Sequence, residues 1–457
     1  MVVDLVLLNG KMATRAGIVE GGIAVENGKV AALAKEANLP KADRRTDLRG
    51  KIALPGVIDG HTQVFRPPFL NETFETGTRA AAVGGVTTVV DMPSLGEMLT
   101  TTVSNLRRKL EIGQKESLVD FALYAGEIKE EEHLNEIREL VGEGVVGFKI
   151  TMGAYETSIQ SDGVLLEAFR RIADSGSLAT VHAENGQLLK HFKAQLVRSQ
   201  RTDFAAYSDS RPNIVEEEAI SRCLLYSRST GNRLHIAHLS TAEGLQLVGE
   251  AKSRGLPVTA ETCPHYLLLT RDDFEQLGSL IVYNPPPRSK RDAEALWAGL
   301  AKGTVDNLVT DHCSYSREEK SVGEKDLWST PPGIPGLETL VPLMFSEGVD
   351  RGRISLQRFI QLTSEKPAKI YGLYPRKGSL QPGSDADITV IDPGKIWRID
   401  ADELECVADF TPFDGWKVKG KQVATYVRGT LVSSDGEVVS PPGFGKYMPA
   451  RRSANLY

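Results

Sequence analysis

Three short stretches within residues 178–262 decide the fold: LATVHAEN at 178–185, LHIAHLS at 234–240 and VTAET at 258–262. Each begins with an apolar run of strand length and ends in polar residues that include histidine or glutamate. The residues between them, at 216–227 and 242–253, have the apolar spacing of helices. Strands that alternate with helices in this way predict a parallel sheet.

The same alternation extends in both directions from this stretch. Further strand-like runs lie at 53–58, 86–92, 120–124, 146–150 and 307–310, and further helical segments lie at 105–114, 132–141, 165–174 and 292–302. Eight strands in about 260 residues predict a closed (β/α)8 barrel. An open doubly wound sheet is the competing fold, but the glycine-rich phosphate loop typical of that fold does not follow the first strand.

The two ends of the chain have a different pattern, in which short β runs are broken by glycine, proline and aspartate. Residues 1–52 and 373–457 are each too short to bury a good core alone. We therefore expect them to pair into one small β-sandwich domain beside a barrel at 53–372. The predicted fold class is α/β, a TIM-like barrel with a β-sandwich formed by both chain ends.

Composition narrows the function classes. The 457 residues are 41% apolar and 25% charged, with a net charge of −6 and no basic block, so we expect neither a nucleic-acid partner nor a membrane partner. The longest apolar run is shorter than 18 residues. The four cysteines form no CxxC pair, which fits reduced thiols and a cytoplasmic location.

Several predicted strands end in residues that bind metals. In a barrel, side chains at the C-terminal strand ends converge on one mouth. The residues at these positions are His61, Lys149, His182, His238 and Asp311. Imidazole nitrogen and carboxylate oxygen are the usual zinc ligands, and a catalytic zinc keeps one position for water. The pattern therefore predicts a metal centre at the mouth.

Other residues near these strand ends allow more than one interpretation. Lys149 is either an ion-pair partner or a desolvated amine that takes up carbon dioxide as a carbamate, whose two oxygens can bridge two metals. His265 and His312 are each either packed loop residues or supports for the site. Alternation along the sixth strand predicts that His235 points away from the mouth.

Motifs along nearly the whole chain resemble the amidohydrolase superfamily, and within it the cyclic-amidase branch of hydantoinases, dihydropyrimidinases, allantoinases and dihydroorotases. They include LPGVIDGHTQ at 54–63, AAAVGGVTTVVDMPS at 80–94, GFKITM at 147–152, AETCPHYL at 260–267, NPPPRS at 284–289 and TDHCSY at 310–315. Taken together, these motifs are most similar to those of hydantoinases. The resemblance implies a barrel flanked by a β-sandwich, as the strand count already predicts.

The resemblance also implies a metal centre and an assembly. Members typically hold two divalent metals, usually zinc, and form dimers or tetramers. By similarity, His61 and Asp311 bind the first metal, His182 and His238 bind the second, and a carboxylated Lys149 bridges the two.

Gln63 departs from the family motif, which is His-x-His where this chain has His61-Thr62-Gln63. A glutamine amide oxygen is neutral and a weaker zinc donor than imidazole. Three outcomes stay open: one metal, two metals with Gln63 as a weak ligand, or a decayed site in a non-catalytic scaffold. The intact ligands elsewhere argue against general decay.

The resulting hypothesis is metal-dependent hydrolysis of a cyclic amide or ureide, in which metal-activated hydroxide attacks a ring carbonyl and Asp311 is the proton shuttle. By similarity, Tyr155 stabilises the oxyanion and contacts substrate, and Asn284 binds the amide edge of the ring. Allantoinase is the alternative. Dihydroorotase is weakened because Phe65 lies where its pattern has arginine. Phe65, Phe69 and Leu70 near the mouth suggest an apolar ring substituent, but core packing explains Phe65 equally well.

Overall fold

The computed structural model describes residues 2–15, 17–66 and 72–451 of the chain. Phe69 and Leu70 lie outside the described residues. Within these ranges, barrel strands alternate with helices in the middle of the chain, and a separate, mostly antiparallel sheet is built from both ends. No helix in the described part of the chain is long and apolar enough to span a membrane.

The barrel is formed by eight parallel strands. They are β6 (Val57–Thr62), β7 (Val86–Asp91), β8 (Asp120–Leu123), β9 (Phe148–Met152), β10 (Leu178–Ala183), β11 (Arg233–Ile236), β12 (Val258–Thr262) and β13 (Asn307–Leu308). Hydrogen bonding orders them as β6-β7-β8 and β9-β10-β11-β12-β13. Parallel bridges between Ala125 and Phe148 and between Thr62 and His312 join the two groups, so the barrel is closed.

Helices cover the outside of the barrel at every position that the sequence predicts. The α-helices are α1 (Phe74–Gly84), α2 (Val103–Glu116), α3 (Ile137–Gly142), α4 (Asp162–Asp174), α5 (Gly186–Arg198), α6 (Ala205–Asp209), α7 (Asn213–Thr230), α8 (Ala242–Ser253), α9 (Pro264–Leu268), α10 (Phe274–Leu277), α11 (Lys290–Lys302), α12 (Arg317–Ser321), α13 (Leu340–Leu343), α14 (Leu356–Ile360) and α15 (Lys366–Ile370). π-Helical turns at Met344–Asp350 and Gln361–Glu365 extend α13 and α14.

Local sequence explains these elements. All six residues of β10 are buried, as expected for a strand with a packed interior on one face and helices on the other. Thr241 begins α8 by accepting a hydrogen bond from the Gly244 N–H at 3.1 Å. The connection from β11 to α8 therefore ends at a side-chain cap.

Both chain ends contribute to one nine-stranded sheet. From the N-terminal side come β1 (Val2–Thr14), β2 (Gly17–Glu26), β3 (Lys29–Ala34), β4 (Lys41–Asp47) and β5 (Ile52–Pro55), and from the C-terminal side come β14 (Ile388–Arg398), β15 (Lys417–Val427), β16 (Thr430–Ser434) and β17 (Glu437–Val438). The antiparallel pairing of β5 with β14 joins the two ends. The predicted association of the two ends is therefore correct.

The first predicted barrel strand needs a correction. The structure divides 53–58 at Gly56, so that 52–55 belongs to the nine-stranded sheet and only the residues from Val57 onward enter the barrel. A Cβ at position 56 would lie 2.2 Å from Thr87 Oγ1, so a residue with a side chain does not fit at this bend. The domain limits at 53 and 372 stay predictions.

Candidate metal centre

A cavity of about 310 Å³ lies at the C-terminal mouth of the barrel. It is lined by all the residues that the sequence predicts as metal ligands and by both predicted substrate contacts: His61, Gln63, Lys149, Tyr155, His182, His238, Asn284 and Asp311. Strands that are distant in sequence bring these side chains together, as expected when the carboxyl ends of barrel strands meet at one face.

His61 lies at the end of β6 between two carboxylates. Its Nδ1 is 2.5 Å from Glu261 Oε1, and its Nε2 is 3.0 Å from Asp311 Oδ1. Burial alone would lower the pKa of the His61 imidazole, but Asp311 and Glu261 outweigh burial and raise the pKa to about 9. A metal ion on Nε2 would take the place of that proton, and Glu261 would orient the ring through Nδ1–H.

His182 and His238 are in direct contact in the cavity lining. His182 Nδ1 is 3.0 Å from His238 Nε2, and the other nitrogen of His182 lies 2.8 Å from Glu184 Oε2. Burial lowers the pKa of both imidazoles, so both are neutral at pH 7, which is the form that binds metals. Nδ1 of His238 is buried and has no hydrogen-bond partner among the described residues. Arg211 pairs with Glu184 at 2.6 Å and so fixes the carboxylate that orients His182.

Asp311, three residues after the end of the last barrel strand, has a left-handed backbone with φ of 51°. Burial alone would raise the pKa of its carboxyl, but the neighbouring His61 cation holds the pKa far below its ordinary range. Asp311 is therefore an anion at neutral pH. Metal-ligand atoms of His61, His238 and Asp311 all lie within 4.8 Å of one another.

Lys149 extends into the same cavity from β9 and is only 4% exposed. Burial is the main cause that lowers the pKa of its ammonium group, and Glu127 opposes this effect. A lowered pKa makes the free amine more available, which is the condition that carbamate formation requires. Glu127 also lines the cavity.

Both polar atoms of the Gln63 side-chain amide form hydrogen bonds. Arg66 Nη1 donates to Gln63 Oε1 at 2.5 Å, and Gln63 Nε2 donates to Asp311 Oδ1 at 2.9 Å. Because guanidinium only donates and carboxylate only accepts, this is the one amide orientation that satisfies both neighbours. The amide oxygen that a metal would need therefore faces Arg66.

The residues of the mouth fit a divalent metal ion. Three imidazoles, a carboxylate and a buried amine converge, and carboxylates orient two of the imidazoles. Within residues 2–15, 17–66 and 72–451, the buried Nδ1 of His238 has no hydrogen-bond partner. Mixed nitrogen and oxygen donors of this kind suit zinc and similar divalent ions.

A second cluster of Glu72, His312 and Cys406 does not fit a metal ion in the same way. His312 Nδ1 accepts the backbone N–H of Gly336 at 3.0 Å, which places the ring proton on Nε2, where it donates to Glu72 at 2.7 Å. A metal on Nε2 would require the proton on Nδ1, against that backbone N–H. His312 is thus a packed residue behind Asp311.

Tyr155 and Asn284 both line the cavity. The Tyr155 ring lies 5.7 Å from the His182 ring, measured between centroids and edge to face. Burial raises the pKa of its phenol, so it is a hydrogen-bond donor at neutral pH. Asn284 Oδ1 accepts from the Tyr207 hydroxyl at 2.7 Å, which leaves the amide N–H groups of Asn284 as donors.

His265 lines the cavity as a neutral side chain. Burial lowers its pKa to about 3, and its ring packs 4.4 Å from the Tyr283 ring, measured between centroids. Nε2 of His265 is buried, and the described part of the chain offers it no hydrogen-bond partner. His265 therefore belongs to the wall of the site and can offer one further polar atom to a ligand.

Sequence reasoning missed the carboxylates and the arginines that support this centre, among them Glu261, Glu184, Arg211 and Arg66. The signal for Glu261, Glu184 and Arg66 is their position at or just beyond strand ends, in AET, HAEN and the loop after β6. Arg211 lies between α6 and α7, and its only signal is the length of the connection that contains it. The prediction that His235 points outward is wrong. His235 is fully buried, with Nε2 2.9 Å from Glu261 Oε2 beneath the metal-binding residues.

Residues 52–432 match the sequence profile of the Amidohydrolase family. The chain belongs to this family. An L-hydantoinase of Paenarthrobacter aurescens is 40% identical over 453 residues, 98% of each chain, and a D-hydantoinase of Ralstonia pickettii is 33% identical over 98% of this chain and 99% of its own.

Solved structures of this amidohydrolase's relatives agree over the whole length. The structure of an L-hydantoinase (dihydropyrimidinase) from Arthrobacter aurescens superposes with a TM-score of 0.94 at 39% identity, covering 98% of this chain and 100% of that one. A dihydropyrimidinase from Brevibacillus agri gives a TM-score of 0.92 at 31% identity, covering 98% and 99%. The (β/α)8 barrel with a β-sandwich is thus shared by full-length relatives.

Proposed function

We propose that this amidohydrolase is a hydantoinase-type enzyme that hydrolyses the ring C–N bond of a cyclic amide or ureide with the help of a divalent metal ion. The observation that carries this proposal is the convergence of His61, His182, His238, Asp311 and Lys149 on one cavity, in a chain 40% identical over its full length to an L-hydantoinase. The cavity volume of about 310 Å³ suits a small ring rather than a polymer.

The ion that we propose is zinc, held among the imidazoles of His61, His182 and His238 and the Asp311 carboxylate. Lys149 completes the site as an N6-carboxylated side chain, which its burial and its lowered pKa support. When bound, such an ion lowers the pKa of water and polarises the carbonyl under attack.

The protein's own groups position the substrate and move the proton. Asp311, ionised at neutral pH, accepts a proton from the attacking water and delivers it to the leaving ring nitrogen. The protonated Tyr155 phenol donates a hydrogen bond to the developing oxyanion. The free amide N–H groups of Asn284 bind a ring carbonyl oxygen.

The other candidate functions have less support. The relatives reported above have hydantoinase or dihydropyrimidinase names, which does not favour allantoinase or dihydroorotase. A non-catalytic scaffold would have no reason to retain five converging groups and carboxylates that orient two of them. We also propose a cytoplasmic homodimer or homotetramer, on the family resemblance and the four unpaired cysteines.

The experiment is a substrate panel on protein loaded with zinc. We expect turnover of 5-substituted hydantoins, tested as both enantiomers beside allantoin, dihydrouracil, dihydroorotate and cyclic imides. Asp311→Asn should lower turnover of the best substrate by about 100- to 10,000-fold, because it removes the general base. Asp43→Asn, at an exposed position of β4 in the nine-stranded sheet, is the matched control and should keep full rate. Bound metal without turnover of any ring in the panel would reject the proposal.

A further inference from the structure

The Gln63 amide lies between the guanidinium of Arg66 and the carboxylate of Asp311 in the cavity. Arg66 Nη1 lies 2.5 Å from the amide oxygen, and Asp311 Oδ1 lies 2.9 Å from the amide nitrogen. Rotating the amide by 180° would set donor against donor at Arg66 and acceptor against acceptor at Asp311. Gln63 is therefore locked in the orientation that hides its one ligand atom from the metal-binding residues.

Arg66 brings a cation into the cavity that the imidazoles and Asp311 also line. Guanidinium keeps its charge at every pH that the protein meets, so its positive charge is as constant as that of a metal ion. A second ion bound close to Gln63 would lie beside this charge and would be repelled by it in a site of low dielectric.

We propose that Arg66, linked through Gln63 to Asp311, takes the place of one metal ion, so that each subunit binds a single catalytic divalent ion. This inference rests on the proposed function and specifies its metal centre. The remaining donors are the three imidazoles, Asp311 and Lys149, which are enough for one catalytic ion with a position left for water. Gln63 and Arg66 are positioning residues that hold the Asp311 carboxylate.

The test is metal stoichiometry. Protein is saturated with Zn2+, desalted and analysed for metal per subunit, and a Mn2+-loaded sample is examined by electron paramagnetic resonance. We expect one ion per subunit and the spectrum of isolated Mn2+. The double variant Gln63→His/Arg66→Met supplies an imidazole and removes the cation, so it should bind two ions per subunit and give a spin-coupled Mn2+ spectrum.

Single variants and a control separate the effect of removing the Arg66 charge from the effect of adding an imidazole at position 63. Arg66→Met should bind a second ion more weakly than the double variant does, because the freed Gln63 oxygen is a neutral ligand. Arg79→Met, which removes a surface arginine paired with Glu405, should stay at one ion. Melting temperatures confirm that each variant is folded.

The outcomes distinguish this inference from the proposed function. Two ions per subunit in the unmodified protein, or one ion in a folded double variant, would overturn the single-ion centre and leave hydantoin hydrolysis standing. Absence of both bound metal and turnover in the unmodified protein would instead reject the proposed function.

Discussion

Glu261 connects two buried imidazoles beneath the metal centre. It lies 2.5 Å from His61 Nδ1 and 2.9 Å from His235 Nε2. Carboxylates that orient a ligand imidazole raise its basicity, and their loss usually weakens metal binding. Glu261→Gln should therefore lower zinc affinity by about 10- to 100-fold, measured by competition with a chromogenic chelator.

A matched control exists for this substitution. Glu338 is another buried carboxylate, and it accepts from the backbone N–H groups of Glu405 and Cys406 at 3.0 Å, away from the cavity. Glu338→Gln should leave zinc affinity unchanged. Equal affinity in Glu261→Gln and the unmodified protein would show that Glu261 only packs the barrel interior.

At the residue scale, the sequence predicts which residues lie at the end of a single strand, but it does not predict contacts between side chains of two different strands. His182 and Asp311 could be placed because each follows its own strand. Glu261 could not be paired with His61, because their contact depends on the stagger of strands across the barrel. His235 was misplaced because the left-handed backbone of His238, with φ of 32°, interrupts strand alternation.

At the element scale, two long connections supply residues to the site. The connection 310–336 contains α12 and contributes Tyr315 to the wall of the cavity, while 185–215 folds into α5 and α6 and supplies Arg211, which pairs with Glu184. Their unusual length in the sequence is typical of functional loops. Their conformations could not be predicted, because they are fixed by contacts with other segments rather than by periodicity.

Helix α12 contains a buried lysine whose charge should make stability depend on pH. Lys320 Nζ donates to the carbonyl oxygens of Val282 at 2.7 Å and Pro331 at 2.9 Å, and burial lowers its pKa to about 7. In the unfolded chain the same amine keeps its proton up to its usual pKa of 10.5. Between these two values the folded protein holds fewer protons, so its stability rises with pH.

Comparison with Lys320→Met isolates this effect. From pH 7 to pH 9, the unmodified protein should gain roughly 2 kcal/mol of unfolding free energy relative to the variant. The measurement is the melting temperature of both proteins across that range. Parallel curves would mean that Lys320 titrates alike in the folded and unfolded chains.

At the scale of the whole molecule, a buried ionic cluster joins the barrel to the region that leads into β14. Lys377 Nζ lies 2.5 Å from Asp120 in barrel strand β8 and 2.6 Å from Asp387 beside the nine-stranded sheet, with Asp385 at 3.1 Å. The sequence predicts that both chain ends meet beside the barrel. It does not reveal this junction, because the partners are far apart along the chain.

The C-terminal segment adds a second link between distant parts of the chain. The Met448 N–H donates to the Phe121 carbonyl at 2.7 Å, and the Arg451 N–H donates to the Gly372 carbonyl at 2.8 Å. Met448 is 1% exposed. Residues 443–451, which carry no strong helix or strand pattern, are thus held against the barrel by backbone contacts that only the tertiary structure reveals.

Lys377→Met tests the junction between barrel and sheet. The substitution would leave Asp120, Asp385 and Asp387 buried without the cation that they share, and breaking a buried ion pair typically costs about 3–5 kcal/mol. Lys419→Met is the matched control, since the Lys419–Asp350 pair at 2.6 Å is solvent-exposed and its loss should cost less than about 1 kcal/mol. Urea unfolding of both variants measures the difference. Equal losses of stability in the two variants would contradict this prediction. Other cations would then neutralise the aspartates, namely Arg428 beside Asp120 and Lys29 and Arg376 beside Asp385.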